Sequence, residues 1–156
     1  MLEVVLICTA TVLSTILIHH EGLLAISAGA SRLAIGRTRI VMMGVVIGIL
    51  GLHLIEILLY AGAIYLSADL LHLGRLVGDV DGTDLEVLYF SAETYTSLGF
   101  GDILPTGSMR LLASLEPLNG LLLLGWSATF IHVEVDRFWR RPPSGANGGV
   151  GSVTAK

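Results

Sequence analysis

The stretch YTSLGFGD, residues 95–102, decides the fold. Gly99 and Gly101 flank an aromatic residue, hydroxyl side chains precede them, and Asp102 closes the run. Glycine accepts backbone angles that other residues resist, so the stretch is typical of a flexible turn or of a binding loop made from backbone atoms. The sequence on either side separates these two readings.

The composition around this stretch is that of a membrane protein. Apolar residues make up 53% of the chain and charged residues only 14%, whereas about one quarter is charged in a typical soluble domain. The apolar residues fall in long runs, and about twenty of them cross a bilayer. We predict three membrane helices, near residues 2–19, 40–66 and 109–133.

The charges between the runs predict the orientation. Arginines lie between the first two runs and after the third, while acidic residues at positions 79–86 lie between the second and third. Positive residues mark the cytoplasmic side, so we expect a multi-pass protein of the plasma (inner) membrane with its N-terminus outside and its C-terminus in the cytoplasm. The first run has no basic start and no Ala-x-Ala-type site, so we expect a retained helix rather than a signal peptide.

A half-length helix precedes the glycines. Residues 85–98 are too short to cross a membrane, and Thr83 with Glu86 fits a capping box, which signals a helix start. A short helix followed by extended backbone predicts a re-entrant loop, and such backbone needs cover from protein or water. Aligned carbonyl oxygens in the loop would replace the water shell of K⁺, and closing a ring of them takes about four copies.

On these residues the chain resembles the tetrameric pore-loop potassium channels, most closely the bacterial ones with one outer and one inner helix. The family pattern is Thr-Val-Gly-Tyr-Gly-Asp, and residues 97–102 read Ser-Leu-Gly-Phe-Gly-Asp. The segment YFSAET, residues 89–94, is similar to the end of the pore helix, and Gly120 falls at the hinge glycine of the inner helix. The resemblance covers residues 40–136.

The resemblance implies an all-α membrane protein with three transmembrane helices, a re-entrant pore helix and a filter loop, assembled as a homotetramer among membrane lipids. It implies passive conduction of K⁺, no catalytic residues, no cofactor besides the permeant ion, and no nucleic-acid partner. The implied filter residues are Thr96, Ser97, Leu98, Gly99, Phe100, Gly101 and Asp102, with K⁺ bound at Ser97, Leu98, Gly99 and Phe100.

The predicted organisation has four parts. They are an extra N-terminal transmembrane helix (1–19), a cytoplasmic interfacial linker (20–39), a pore domain (40–136) and a disordered cytoplasmic tail (137–156). The predicted pore domain consists of an outer helix (40–66), an outer segment (67–83), a pore helix (84–95), the filter (96–102) and an inner helix (109–136).

Polar residues near the filter and in the spans are further candidates. In relatives of this family, carboxyls that match Glu93 and Asp102 meet behind the filter and share a proton, so we expect Glu93 to support the filter. The alternative is two separate acids, each hydrogen-bonded or exposed at the outer mouth. An intramembrane polar network is predicted from pairs spaced three apart on one helix face: His53 with Glu56, and Glu116 with Asn119. The pairs predict interhelical hydrogen bonds, a proton sensor for gating, or a metal site with an incomplete ligand set.

The inner helix contains candidates for the cavity and the gate. Pro117 removes one helical hydrogen bond and is able to kink the helix, and Gly120 either bends it or allows close packing. A helical stripe of Leu121, Leu124, Ala128 and His132 is implied to line the cavity. His132 at its end is either an interfacial anchor or a charge that responds to pH.

Three other functions stay open at this point. Leu98 is bulkier than the valine of the family pattern, which favours a weakly selective monovalent cation channel as an alternative. A non-conducting regulatory membrane subunit is a second alternative, although it has no need for glycines after a capped half-helix. A membrane enzyme built on His53 and Glu56 is a third, but few polar residues lie at that depth.

Overall fold

The computed structural model describes residues 1–33, 38–80 and 83–139. In these ranges the protein consists of three long helices, one half-length helix and two short strands. The elements are α1 (Leu2–Leu33), α2 (Thr38–Tyr65) with a π-helical turn after it (Leu66–Leu70), β1 (Leu76–Gly78), α3 (Asp84–Tyr95), β2 (Ile103–Pro105) and α4 (Met109–Trp139). Three segments are long and apolar enough to cross a membrane: Leu2–Leu33, Arg39–Leu70 and Met109–Arg137. The chain is an all-α membrane protein.

The first helix does not end where the sequence predicted. Residues 20–33, expected to begin an interfacial linker, continue α1 without a break. The reason is packing: the buried stripe of α1 continues through Leu23 and Ala30. A Cβ at Gly22 would meet the side chain of Leu52 on α2, so a small residue here lets α1 and α2 approach closely.

Two buried clusters hold the helices together, one at each end. The first, near the filter, is built on α1, α2, α3 and the start of α4; its largest fully buried side chains include Tyr60, Tyr95, Met109 and Leu112. The second joins α1 to α2, with Leu23, Val45 and Leu52 among its members. The opposite faces of the long helices leave many large apolar side chains exposed, as membrane spans do when lipid or further subunits cover them.

The half-length helix lies where the sequence predicted, at residues 84–95. Thr83 is its N-cap residue, but its side chain makes no capping hydrogen bond, so the predicted capping box is not formed by that hydroxyl. The inner helix begins at Met109 as expected and extends to Trp139. It thus includes the first residues of the predicted tail, whose remainder (140–156) lies outside the described residues.

A two-stranded antiparallel sheet that the sequence did not predict joins the segment before α3 to the segment after the glycine stretch. β1 pairs with β2 in antiparallel register, with Val77 opposite Leu104. Beside it, the Thr106 hydroxyl donates to the Arg75 carbonyl oxygen at 2.8 Å and accepts from the Arg75 amide at 3.0 Å. The sheet therefore fastens the chain that leaves residues 96–102 to the segment that follows α2.

Candidate functional site

The filter segment, residues 96–102, alternates its backbone conformation. Ser97 has φ 59°, Gly99 has φ 56° and Gly101 has φ 80°, all in the left-handed region. A Cβ at Gly99 or Gly101 would meet no atom within 4 Å. The backbone angle, and not crowding within the protomer, is therefore what favours glycine at these two positions.

Glu93, on the last turn of α3, binds three successive amides of the filter segment. Its carbonyl oxygen accepts from the Leu98 amide at 2.8 Å and from the Gly99 amide at 3.3 Å. Its carboxylate accepts from the Phe100 amide at 2.9 Å. Glu93 is buried. Because it accepts hydrogen bonds from all three N–H groups, it determines the side of the segment on which they lie.

The positions of these amides determine where the carbonyl groups point. In a trans peptide the N–H of one residue and the C=O of the preceding residue point in opposite directions, and the described part of the chain has no cis peptide bond. Because the amides of residues 98–100 face Glu93, the carbonyl groups of Ser97, Leu98 and Gly99 face away from it. Three successive oxygens thus lie on the side opposite the α3 support.

Asp102 has a different partner from the one that the resemblance implied. Its carboxylate accepts a hydrogen bond from the Tyr89 hydroxyl at 3.0 Å, whereas the Glu93 carboxylate takes the Phe100 amide. The Tyr89 and Phe100 rings stack with centroids 6.5 Å apart. Reduced hydration and the bond to Asp102 raise the pKa of Tyr89, so its hydroxyl stays a donor. Two carboxylates therefore brace the filter segment separately, because each reaches its own donor.

Behind the filter segment lies a group that we call the polar cluster: His19, His53, Glu56, Tyr95 and Ser127. The two oxygens of Glu56 lie 2.8 Å from His19 Nδ1 and 2.9 Å from His53 Nδ1, and the second oxygen also accepts from the Tyr95 hydroxyl. Ser127 Oγ lies 3.0 Å from His53 Nε2 and 3.4 Å from His19 Nε2. All five side chains are buried, and they come from all four helices.

The other predicted polar pair forms two separate interhelical contacts. Glu116 lies 2.6 Å from the Ser91 hydroxyl on α3, and Ser91 in turn donates to the Ile57 carbonyl oxygen on α2 at 2.9 Å. Asn119 donates to Thr15 on α1 at 2.7 Å. The structure therefore gives each of these polar residues a partner on another helix, and it does not bring the two predicted pairs together.

The inner helix runs through Pro117 as one α-helix. A Cβ at Gly120 would meet the carbonyl oxygen and the ring of Tyr95, so this glycine allows α4 to approach the end of α3. The candidate cavity stripe faces away from the other helices of the protomer. Its members, all exposed, are Leu121, Leu124, Ala128 and His132.

Sequence reasoning missed His19, Tyr95 and Ser127 as members of the polar cluster. One signal was present for His19: the polar side chains at positions 11, 15 and 19 recur on one helical face of an apolar run. It also missed Glu134, which is buried on α4, accepts from Ser27 at 2.7 Å and pairs with Arg137. That contact fastens α1 to the far end of α4.

A comparison with protein families agrees with this geometry. The family model described as "Ion channel" matches residues 52–135, more than half of the chain. The matched part begins in α2 and includes α3, the filter segment and most of α4, while α1 precedes it. No curated protein and no solved structure matches the chain. The chain belongs to the ion channel family.

Proposed function

We propose that the protein is a potassium-selective channel that conducts K⁺ passively through a ring of backbone carbonyl oxygens. The observation that carries this proposal is the attachment of three filter amides to Glu93. It leaves the carbonyl groups of Ser97, Leu98 and Gly99 facing the opposite side. Carbonyl oxygens in such a row replace the hydration shell of the ion, so no catalytic group is needed.

A homotetramer is the assembly that this proposal requires. Filters of this kind are closed by four loops, and one chain supplies one loop. In the single protomer, Leu98 is 59% exposed and Phe100 is 66% exposed. The stripe from Leu121 to His132 on α4 is exposed as well. These surfaces are the ones that neighbouring copies and a central cavity would cover.

The charge distribution supports the orientation of the channel. Arg32, Arg39 and Arg137 lie at the ends of α1, α2 and α4 that are remote from the filter segment. Positive residues favour the cytoplasmic side. The filter segment would then face the outside of the plasma (inner) membrane, with the N-terminus also outside.

Measurement of ion flux tests the proposal. The purified chain is reconstituted into liposomes, and K⁺ and Na⁺ uptake are compared, with and without barium. We expect K⁺ uptake that exceeds Na⁺ uptake and that barium blocks, against protein-free liposomes as the control. Equal uptake of both ions would instead support the weakly selective channel, for which Leu98 is the motivating residue. No uptake of either ion would support the non-conducting subunit.

The assembly is tested separately from conduction. Light scattering of the detergent-solubilised chain, corrected for bound detergent, gives the mass of the protein component. We expect about four times the mass of one chain. A monomer or dimer under conditions that preserve flux would contradict the four-loop ring.

A further inference from the structure

The polar cluster offers a site that ion conduction does not use. We propose that His19, His53 and Glu56 bind a divalent transition-metal ion, with Zn²⁺ as the ion of best fit, between α1 and α2. One potential ligand atom from each residue lies within 4.8 Å of the others, and all three residues are buried. The proposal concerns metal binding and does not depend on the ion that the channel conducts.

The ligand set and its spacing suit zinc. Zinc takes imidazole nitrogen and carboxylate oxygen at about 2.0–2.2 Å and accepts two histidines with one glutamate. The Nδ1 atoms of His19 and His53 lie 2.8 Å and 2.9 Å from the two oxygens of Glu56. Tetrahedral ligands at that bond length lie about 3.4 Å from one another. A shift of about 0.5 Å in these nitrogens would therefore open the coordination sphere.

The second ring nitrogens of the two histidines share a partner. Ser127 Oγ lies 3.0 Å from His53 Nε2 and 3.4 Å from His19 Nε2. With a metal ion on both Nδ1 atoms, each Nε2 carries a hydrogen and donates to Ser127. That is the usual arrangement for metal-binding histidines, whose second ring nitrogen donates to an oxygen.

Tyr95 offers an oxygen atom for the fourth ligand position. Its hydroxyl oxygen lies 3.0 Å from His53 Nδ1 and donates to Glu56. A divalent ion with two neutral histidines and one carboxylate leaves one positive charge in an apolar interior, which is costly. The Tyr95 hydroxyl oxygen, beside the Glu56 carboxylate, would lower this cost as a further ligand.

The site joins the helix outside the matched family region to the base of the filter. His19 lies on α1, His53 and Glu56 on α2, and Tyr95 directly precedes Thr96 of the filter segment. A bound ion would therefore fix the position of α1 relative to the residue from which the filter begins. Calcium and magnesium do not fit, because they prefer oxygen ligands.

The experiment uses the full chain, purified in detergent and treated with a chelator. It is then titrated with Co²⁺ as a spectroscopic probe and with Zn²⁺. We expect the visible absorption of tetrahedral Co²⁺, its displacement by Zn²⁺, and about one zinc ion bound to each chain by elemental analysis. The variants His19→Gln and His53→Gln should lose both signals. The matched control is His20→Gln, because His20 is the next residue on α1 and is exposed.

A second variant keeps every ligand and tests the contact of Ser127 with the two histidines. Ser127→Ala should bind Zn²⁺ about 10- to 100-fold more weakly, as loss of a group that orients metal ligands does. Absence of a tetrahedral Co²⁺ spectrum in the wild-type chain would overturn the proposal and would leave the cluster as a proton-binding network. Equal binding by His19→Gln and the wild type would overturn it too. The wild-type spectrum does not depend on whether a variant folds, and neither signal depends on ion flux.

Discussion

The filter segment and the polar cluster meet at Tyr95 but are built from different kinds of atoms. The filter segment presents backbone atoms, and its side chains at Leu98 and Phe100 are exposed in the protomer. The polar cluster consists of side chains, all buried, from four helices of one chain. Tyr95 belongs to the cluster, and the next residue begins the filter. The filter segment therefore leaves large side chains uncovered in one protomer, whereas the polar cluster is completed by the fold of a single chain.

The largest expected effect comes from breaking the filter backbone. Gly99→Ala places a Cβ on a left-handed residue at about 1–2 kcal/mol for each copy, and a ring of about four copies repeats that cost. We expect K⁺ flux into liposomes to fall by at least about 100-fold, while the protomer still folds. Gly44→Ala is the control, because Gly44 is helical and a Cβ there meets no atom. Normal flux in Gly99→Ala would disconnect the backbone angle from conduction.

The next effect tests the cluster as a feature of the single chain. Glu56→Gln removes the charge that accepts hydrogen bonds from His19, His53 and Tyr95. Removal of one partner from a buried ionic group costs about 3 kcal/mol or more, so we expect a lower thermal unfolding midpoint by fluorescence, measured in chelator. The exposed Glu21→Gln on α1 is the matched control. Equal midpoints for the two variants would remove the cluster from the stabilising core.

Glu93→Ala tests a residue of α3 that supports the filter segment close to Tyr95 of the polar cluster. It removes the carboxylate that accepts from the Phe100 amide but keeps the carbonyl that accepts from Leu98 and Gly99. A hydrogen bond to a charged group contributes about 1.5–3 kcal/mol, so we expect flux to persist and the decay rate of the open-channel current to change about tenfold or more in bilayer recordings. Asp84→Ala, exposed on the first turn of α3, is the control. Unaltered decay would show that the Glu93 side chain does not hold the filter.

The smallest effect is expected at Tyr89, which contacts Asp102 at the end of the filter segment. Tyr89→Phe removes the hydrogen bond to Asp102 but keeps the ring that stacks on Phe100. Since Tyr89 is exposed, solvent replaces the lost bond in part, and we expect a change in current decay in the same direction as Glu93→Ala but smaller. A larger change than that of Glu93→Ala would show that the Tyr89–Asp102 hydrogen bond supports the filter segment more strongly than the Glu93 carboxylate does.

The sequence predicted the left-handed backbone of the glycines and the helix before them, but it did not predict the members of the polar cluster, for a physical reason. The backbone angles of Gly99 and Gly101 are local properties, and so is a half-length helix. A short stretch of sequence is therefore enough to predict them. The cluster depends on contacts between His19 and Glu56, and between His53 and Ser127, that are 37 and 74 residues apart in sequence. The spacing of His53 and Glu56 marked one helix face, but no local pattern identified the residue that faces it from α1.

The end of α1 and the pairing of β1 with β2 also depend on tertiary contacts that a local sequence pattern does not show. The end of α1 was predicted at residue 19 because the residues beyond it are rich in glycine, alanine and serine, yet tertiary packing against α2 extends the helix to Leu33. The sheet of β1 and β2 was not predicted because each strand has only three residues and α3 lies between them in the chain. Its register comes from the paired backbone, including a close approach of Gly78 to the Asp102 carbonyl.

The length of α1 has a mechanical consequence. A helix of 32 residues is about 48 Å long, whereas the hydrocarbon core of a bilayer is about 30 Å thick. Even at the steepest usual tilt of about 40°, α1 extends well beyond that layer. Ser27 and Glu134 meet near the ends of α1 and α4, so this contact holds the two helix ends together. A displacement of either helix end would therefore be passed to the other through this hydrogen bond.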